Sequence, residues 1–561
     1  MRVRIAEARS AEARYSHTMF WADKIVEEIK KKYKDKVVLQ SDSGQANNEA
    51  IIIRDEKTAS GRIHVGSLRG VAIHGIISEV LSEENIKNKY LYEINDFDPM
   101  DGMPVYLDRE TFLPHMGKPL CDVPSPDGKE KNYAEYFAQE FIEVIKSLGF
   151  EPEFYRSSDL YKSGKYNEAI KIVLENADKI RQIYKRVSGA EKEKGWLPIN
   201  IVCRNCGKIG TTLAISFDGK EVEYVCEENE KNLVEWVKGC GYRGKVSPFD
   251  GNAKLPWKVE WAAKFTVLGV DVEGAGKDHA TKGGAREVAD AISLEIFKRN
   301  PPFDVQYEFF QVGGRKMSSS KGAGSSAKEI IDLLPPELAR FLFLHKEPRQ
   351  VIDFVPDGDT IPVLYDTYDK MAQVYFSDAK GDYKRVFYLS HTPKQRENGL
   401  AKRFLPRFSQ VAFLVQMPHA NLSKEIEKIK ADKLTDEDEY EVEYRARYAV
   451  KWLSLFAPED HKFELQEKEI PSRAKKLNDI QKQALKAILD YVSFQEILDG
   501  QALHEKIHEI KSELGIDPRE LFSAVYLSFL GKESGPKAGW FLSVLDKDFM
   551  EKRLREVTGF V

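Results

Sequence analysis

The sequence predicts an α/β chain: a doubly wound, Rossmann-like parallel sheet interrupted by a cysteine-rich module, followed by an all-α C-terminal region. Three observations predict it. Between residues 48 and 155, short β-branched or apolar runs (AIIIRDE, KYLYEIND, FEPEFY) alternate with longer helical patterns (VAIHGIISEVLSEENI, YAEYFAQEFIEVIKSLG), which is the rhythm of parallel βαβ units. Four of the five cysteines crowd between 203 and 240. From about residue 327 onward nearly every segment carries helical periodicity, from KEIIDLLPPELARFLFL to PRELFSAVYLSFLG.

Taken in order, residues 1–18 receive no function, and an amphipathic helix begins at Met19 (MFWADKIVEEIKKKY). After the βαβ stretch, 157–192 reads as helical with one polar face, and 197–250 as short strands and Gly turns around the cysteines. Helix and strand return over 260–312 (VEWAAKFTVLGV, REVADAISLEIFKR, DVQYEFFQV) and complete the α/β domain. The expected division is a domain over 19–325 with 197–250 inserted, a connecting region over 326–395, and a helical domain over 396–561.

The chain has 561 residues, room for three or four domains, which excludes a peptide hormone or a lone binding module. Lys+Arg number 85 against 90 Asp+Glu, a net charge of -5, so the chain is no generic polycation. A locally basic face could still bind nucleic acid. No run approaches the roughly 18 apolar residues of a membrane helix, and the opening MRVRIAEARSAEARYSH lacks a signal peptide's apolar core. The expectation is a cytoplasmic protein with no membrane partner.

Two segments carry chemistry. KTASGRIHVGSLRG (57–70) follows an apolar strand and precedes a helix, so Ser60, Gly61, His64, Gly66 and Ser67 fall on a strand-to-helix turn. Free N–H groups and the positive end of the dipole there suit phosphate, although the spacing is neither that of a Walker loop nor GxGxxG. GGRKMSSSKGAG (313–324) brackets Lys316, Met317, Ser318, Ser319, Ser320 and Lys321 with glycines, a loop able to wrap polyphosphate. Either segment alone reads equally as a helix cap or a surface linker.

For metal, Cys203-x2-Cys206 followed by Gly207 has the knuckle spacing of a tetrahedral zinc ribbon, and Cys226 and Cys240 complete four thiolates, a closed structural Zn²⁺ site. The second pair departs from C-x2-C.

His64-Val65-Gly66-Ser67 together with Lys316-Met317-Ser318-Ser319-Ser320 resembles the "HIGH" and "KMSKS" elements of class I aminoacyl-tRNA synthetases. Within that class the chain is similar to the class I lysyl-tRNA synthetases. The likeness runs through TASGRIHVG, GKPLCDVPSPDG, PWKVEWAAKF, Gly276-Lys277-Asp278-His279, FLPRF and GPKAGWFLSVLDKDFMEKRL. Ser67 and Ser319 depart from the family pattern, and Lys321 is positioned to substitute for the second Lys.

The resemblance implies ATP with Mg²⁺, L-lysine and tRNA(Lys) as ligands. It implies His64, Gly66, Lys316, Ser318 and Lys321 as catalytic, with Ser60, Gly61, Ser67, Met317, Ser319 and Ser320 about the ATP. It implies Thr58 as a substrate contact and an anticodon-binding role for the helical region, here expected to act as a monomer. For the lysine pocket, chemistry asks for carboxylates and aromatic walls. The candidates are Trp257, Glu260, Trp261, Asp278, His279, Asp96 and Asp98. Arg403, Arg407, Lys537 and Trp540 are candidate tRNA contacts, with aromatic and Arg side chains suited to unpaired bases. The alternatives are a class I synthetase for another amino acid, such as glutamate, and an inactive RNA-binding paralogue.

Overall fold

The computed structural model describes residues 19–37, 49–227, 237–313, 326–379, 381–418 and 420–559. The chain divides into two compact units, Met1–Phe354 with Met371–Gly399, and Val355–Lys370 with Leu400–Val561.

In the first unit, β1 (Ile51–Thr58) pairs in parallel with β2 (Asn88–Asn95), which pairs with β3 (Glu153–Arg156). At the other edge of β1, Arg54 N donates to Val272 O (2.9 Å) and Val272 N to Ile52 O (3.0 Å). Val272 also bridges in parallel to Phe303, and Ala275–Gly276 pairs in parallel with Gln306–Tyr307. The strand order is therefore β3-β2-β1, then 271–276, then 303–307. In such a sheet the ligand crevice opens where the order reverses, beyond the carboxyl ends of β1 and its new neighbour.

Helix α1 (Trp21–Lys32) precedes the sheet and buries Trp21, Ala22, Val26 and Ile29, the stripe its periodicity predicts. Helix α2 (Leu68–Glu83) follows β1 and is buried along most of its length, in keeping with its apolar sequence. Helix α3 (Tyr133–Ser147) precedes β3 and is capped by the Asn132 side chain. Helix α4 (Ser157–Lys162) follows β3 directly. The inserted module is an antiparallel sheet of β4 (Thr212–Phe217), β5 (Val222–Cys226) and β6 (Arg243–Val246). Helices α5 (Trp257–Val267) and α6 (Ala285–Glu295) flank the fourth strand in sequence.

The described regular structure of the second unit is helical. Its largest helices are α7 (Asp436–Leu455), α8 (Asp479–Ser493), α9 (Gly500–Leu514), α10 (Pro518–Leu530) and α11 (Lys547–Thr558). Leu485, Ile488, Ile507, Val525, Phe541 and Leu554 form its core. Thr435 and Asn478 start α7 and α8 with capping boxes. Buried Arg445 binds Asp369 and Glu441. No helix among the described residues is long and apolar enough to cross a membrane.

Candidate active site

A cleft of about 600 Å³ opens at the reversal point of the sheet. Of the sequence candidates, Thr58, Ser60, His64, Gly66, Ser67, Asp98, Trp257, Glu260, Trp261, Asp278 and His279 line it. His64 is extended and stands just before the short turn Val65–Ser67 that leads into α2. The backbone of β1 thus delivers the histidine and the free N–H groups of a helix start to one rim. Gly61 is buried within the turn, and Ser60 O accepts from Tyr133 Oη at 3.0 Å.

Residues 314–325 lie outside the described residues, and with them Lys316, Met317, Ser318, Ser319, Ser320 and Lys321. The residue that follows them is described: Ser326 forms an antiparallel bridge with His64, and Ala327 N donates to Ile63 O at 2.9 Å. The second motif's segment therefore ends directly against the first motif.

The far wall comes from α5. Trp257, Glu260, Trp261 and Lys264 follow the i, i+3, i+4, i+7 spacing of one helix face. The rings of Trp257 and Trp261 lie 6.2 Å apart, and His279 meets them at 5.4 and 6.1 Å. This is an aromatic wall able to flank a methylene stem or a cation.

Beneath it lies a buried ionic network that sequence reading missed. Lys264 Nζ contacts Glu56 at 2.5 Å, Glu93 at 2.8 Å and Glu260 at 3.3 Å. Arg54 binds Glu273 at 2.6 Å, Glu93 at 2.8 Å and also Glu56. Lys254 bridges Glu260 at 2.6 Å and Asp98 at 2.9 Å. Burial opposes the charge on Lys264, yet Glu260, Glu56 and Glu93 hold its pKa well above the usual lysine range. Burial likewise opposes ionisation of Glu56, but Arg54 and Lys264 keep it well below the usual carboxylate range. The available signal was the run Arg54-Asp55-Glu56-Lys57 inside a strand that must be central to the sheet.

Two pocket candidates change meaning. Glu260 lines the cleft but is 1% exposed, and it is already bound by Lys254, Lys264 and Tyr161 Oη at 2.9 Å, so its charge is matched internally. Asp96 does not line the cleft. It is 2% exposed and accepts from Ser158 N (2.8 Å), Ser158 Oγ (2.6 Å) and Ser157 Oγ (3.0 Å), pinning the start of α4 to the end of β2. Asp98 does reach the cleft, where Thr58 Oγ1 and Asn95 Nδ2 each donate to it at 3.0 Å. Asp278 and His279 are exposed at the rim.

In the inserted module, the ligand atoms of Cys203, Cys206, Cys226 and Cys240 all lie within 4.8 Å of one another. Cys203 Sγ is 3.6 Å from Cys240 Sγ, and Cys206 Sγ is 3.7 Å from Cys226 Sγ. A tetrahedron with Zn–S of about 2.3 Å has S···S edges of about 3.8 Å, so the four sulfurs fit that ion. Gly207, at φ +71°, turns the chain after the knuckle, and its N–H donates to Cys203 O at 2.8 Å.

Comparison with known proteins decides the family. Residues 19–393 match the family described as tRNA synthetases class I (K), and 449–558 match an anticodon binding domain. The chain belongs to the class I lysyl-tRNA synthetase family. Its relatives include a "Lysine--tRNA ligase" of Methanosarcina barkeri strain Fusaro, 34% identical and covering 97% of this chain and 98% of that protein. The "Lysine--tRNA ligase 1" of Methanosarcina acetivorans is 34% identical over 97% and 99% of the two chains. That of Methanocaldococcus jannaschii is 33% identical over 95% and 99%.

The family's anticodon-domain match falls on the last turns of α7 and on α8–α11. In that unit Arg403 pairs with Glu441 at 3.0 Å and lies over the Tyr440 ring, and Arg407 pairs with Asp366 at 2.5 Å. Both arginines thus already have carboxylate partners. Exposed Lys537 lies 5.0 Å over the ring of half-buried Trp540, an aromatic and a cation side by side.

Proposed function

We propose that the cleft activates L-lysine with ATP to lysyl-adenylate, and that the chain then transfers lysine to the 3′ end of tRNA(Lys), releasing AMP and pyrophosphate. The observation that carries the reading is the bridge between Ser326 and His64, which ends the lysine- and serine-rich segment against the phosphate turn, above a cleft rich in carboxylates.

The lysine carboxylate is ionised at neutral pH and attacks the α-phosphorus directly, so the first step needs no general base. Catalysis reduces to positioning and to neutralising phosphate charge. His64 and the N–H groups of the Gly66–Ser67 turn bind phosphate, with Ser60 and Gly61 shaping the turn. Lys316, Ser318 and Lys321 bind the pyrophosphate, with Met317, Ser319 and Ser320 about the ATP. The cleft walls carry more acidic than basic side chains, so these lysines and ATP-bound Mg²⁺ supply the positive charge that the walls lack. Thr58 and Asp98 take the polar end of the amino acid, and Trp257, Trp261 and His279 flank it.

Cys203, Cys206, Cys226 and Cys240 hold a structural Zn²⁺ that fixes the inserted zinc-ribbon-like module. Lys537 and Trp540 contact the tRNA, Trp540 by stacking. The enzyme works as a cytoplasmic monomer.

Amino-acid-dependent ATP–pyrophosphate exchange, with and without total tRNA, tests the reading. The expected result is exchange with lysine and its loss in Lys316→Ala. Folded protein that exchanges with no amino acid refutes it.

A further inference from the structure

A cationic amino acid needs a carboxylate whose charge the protein has not already matched. Among the buried carboxylates of the cleft, Glu56 and Glu260 share Lys264, and Asp98 and Glu260 share Lys254. One oxygen of Glu273 takes both Arg54 and the Trp261 indole N–H, each at 2.6 Å. Asp55 differs. It is 9% exposed and lines the cleft, and its Oδ1 accepts only a backbone N–H, that of Glu56 at 2.8 Å. Its Oδ2 is buried with no hydrogen-bond partner among the described residues; Oε2 of Glu273 is likewise unpartnered, but that carboxylate is paired with Arg54 through its other oxygen.

His74 approaches Asp55 Oδ2 but does not bond it directly. His74 Nε2 accepts the Gly274 N–H at 2.8 Å, so the ring proton is on Nδ1. Nδ1 lies 2.8 Å from Gly70 O but 3.5 Å from Asp55 Oδ2, which directs that proton to the carbonyl. Burial opposes charge on His74 while Asp55 and the Gly70 carbonyl hold its pKa up, and Lys57, on the same strand and lining the same cleft, also acts on Asp55; neither gives Oδ2 a hydrogen bond among the described residues. A buried carboxylate oxygen of that kind is costly unless a ligand completes it.

The space for Asp55 is made by a glycine. A Cβ on Gly70 would stand 2.7 Å from Asp55 Oδ2 and 2.9 Å from Tyr307 Oη, so the missing side chain admits the carboxylate and the phenol to one point. Gly70 is the third residue of α2, four residues past Gly66 in the turn that leads into the helix, so the carboxylate sits one short step along the chain from the phosphate turn.

We propose that Asp55 Oδ2, seated in the gap left by Gly70, receives the side-chain ammonium of the substrate and selects lysine over uncharged amino acids of the same length. This rests on the lysine-activating reading above and adds to it the residue that confers specificity. One charge-assisted hydrogen bond is lost in Asp55→Asn. The expected effect is a KM for lysine raised about 30-fold, which is about 2 kcal/mol at 1.36 per decade.

The test is lysine-dependent pyrophosphate exchange by wild type, Asp55→Asn, Gly70→Ala and Glu273→Gln, with KM for lysine, KM for ATP, kcat and activity on norleucine measured for each. Asp55→Asn should raise KM for lysine and narrow the preference over norleucine, with KM for ATP and kcat within about threefold. Gly70→Ala should do the same by displacing the carboxylate, and it decides the matter if Asp55→Asn fails to fold. An unchanged KM for lysine in the folded variants overturns the assignment, as does loss of kcat and ATP binding in step with it. A selective rise in Glu273→Gln alone transfers the role to Glu273. Absence of lysine-dependent exchange in the wild type would instead remove the proposed function itself.

Discussion

Replacing Lys264 by Met keeps the apolar stem and removes a buried ammonium that three carboxylates share. Lys264 is 1% exposed and contacts Glu56 at 2.5 Å, Glu93 at 2.8 Å and Glu260 at 3.3 Å. Arg54 remains for Glu56 and Glu93 and Lys254 for Glu260, so the loss is that of one partner of a buried ion network, about 3–5 kcal/mol at pH 7.5. Urea unfolding followed by tryptophan fluorescence measures it. The pH dependence carries the sharper information. In wild type, Glu56 is held below its ordinary value of 4.5, so its contribution is complete above that pH and is lost only as pH falls through the lower folded value. Between pH 7.5 and 5.5 this term is flat. In the variant, Glu56 keeps Arg54 but loses Lys264, one of the two cations that depress it. The gap between variant and wild type should therefore be fully present between pH 7.5 and 5.5 and narrow only as the pH falls below 4.5 toward the lowered folded value. A gap below about 1 kcal/mol at pH 7.5, or one that shrinks between pH 7.5 and 5.5, would refute the view that these carboxylates depend on Lys264.

Asp96→Asn should cost about 1–3 kcal/mol of stability by weakening the serine contacts at the start of α4, while KM for lysine stays at the wild-type value; a selective KM rise would return Asp96 to the pocket. Metal analysis should find one zinc per chain, lost in Cys206→Ser, and chelation should open 197–250 to proteolysis before the rest of the first unit; metal-free protein with an intact, protease-resistant module would contradict the site. Lys537→Ala should lower the slope of log affinity for tRNA against log salt by about one, with pyrophosphate exchange unchanged; an unaltered slope removes Lys537 from the interface.

Much of the fold was legible because it rests on local pattern. The alternation of AIII, KYLYEIN and EFYR with helical runs placed β1, β2 and β3 and the helices between them. The strand-to-helix turn carrying His64 and Gly66 was equally readable, since a helix start is encoded within a few residues. The cysteine cluster was found by spacing alone, although Cys240 lies far from C-x2-C register with Cys226. What spacing brings there is a β5–β6 pairing that carries Cys226 and Cys240 to one end of the small sheet.

The candidate pocket was only partly legible. Trp257 and Trp261, which the sequence sets on either side of Glu260, share one helix face and line the cleft, a consequence of helical spacing. Glu260, between them, was read as the free carboxylate, and its internal partners could not be anticipated: Lys254 precedes the helix, and Lys264 also answers to Glu56 and Glu93 across the sheet. Asp96 and Asp98, two residues apart, were indistinguishable in sequence. One turns toward the serines that open α4 and the other toward Thr58 and the cleft.

The sequence by itself determined the family, the parallel sheet, the place of the strand-to-helix turn carrying His64 and the four cysteines that cluster in the inserted module, because each is written in residues near one another along the chain. Which carboxylates are left to meet a cation was decided only by the tertiary structure. Arg54 reaches Glu273 across 219 positions and Lys264 reaches Glu56 across 208. A charge is free or matched only once every neighbour within a few ångströms has been brought to it.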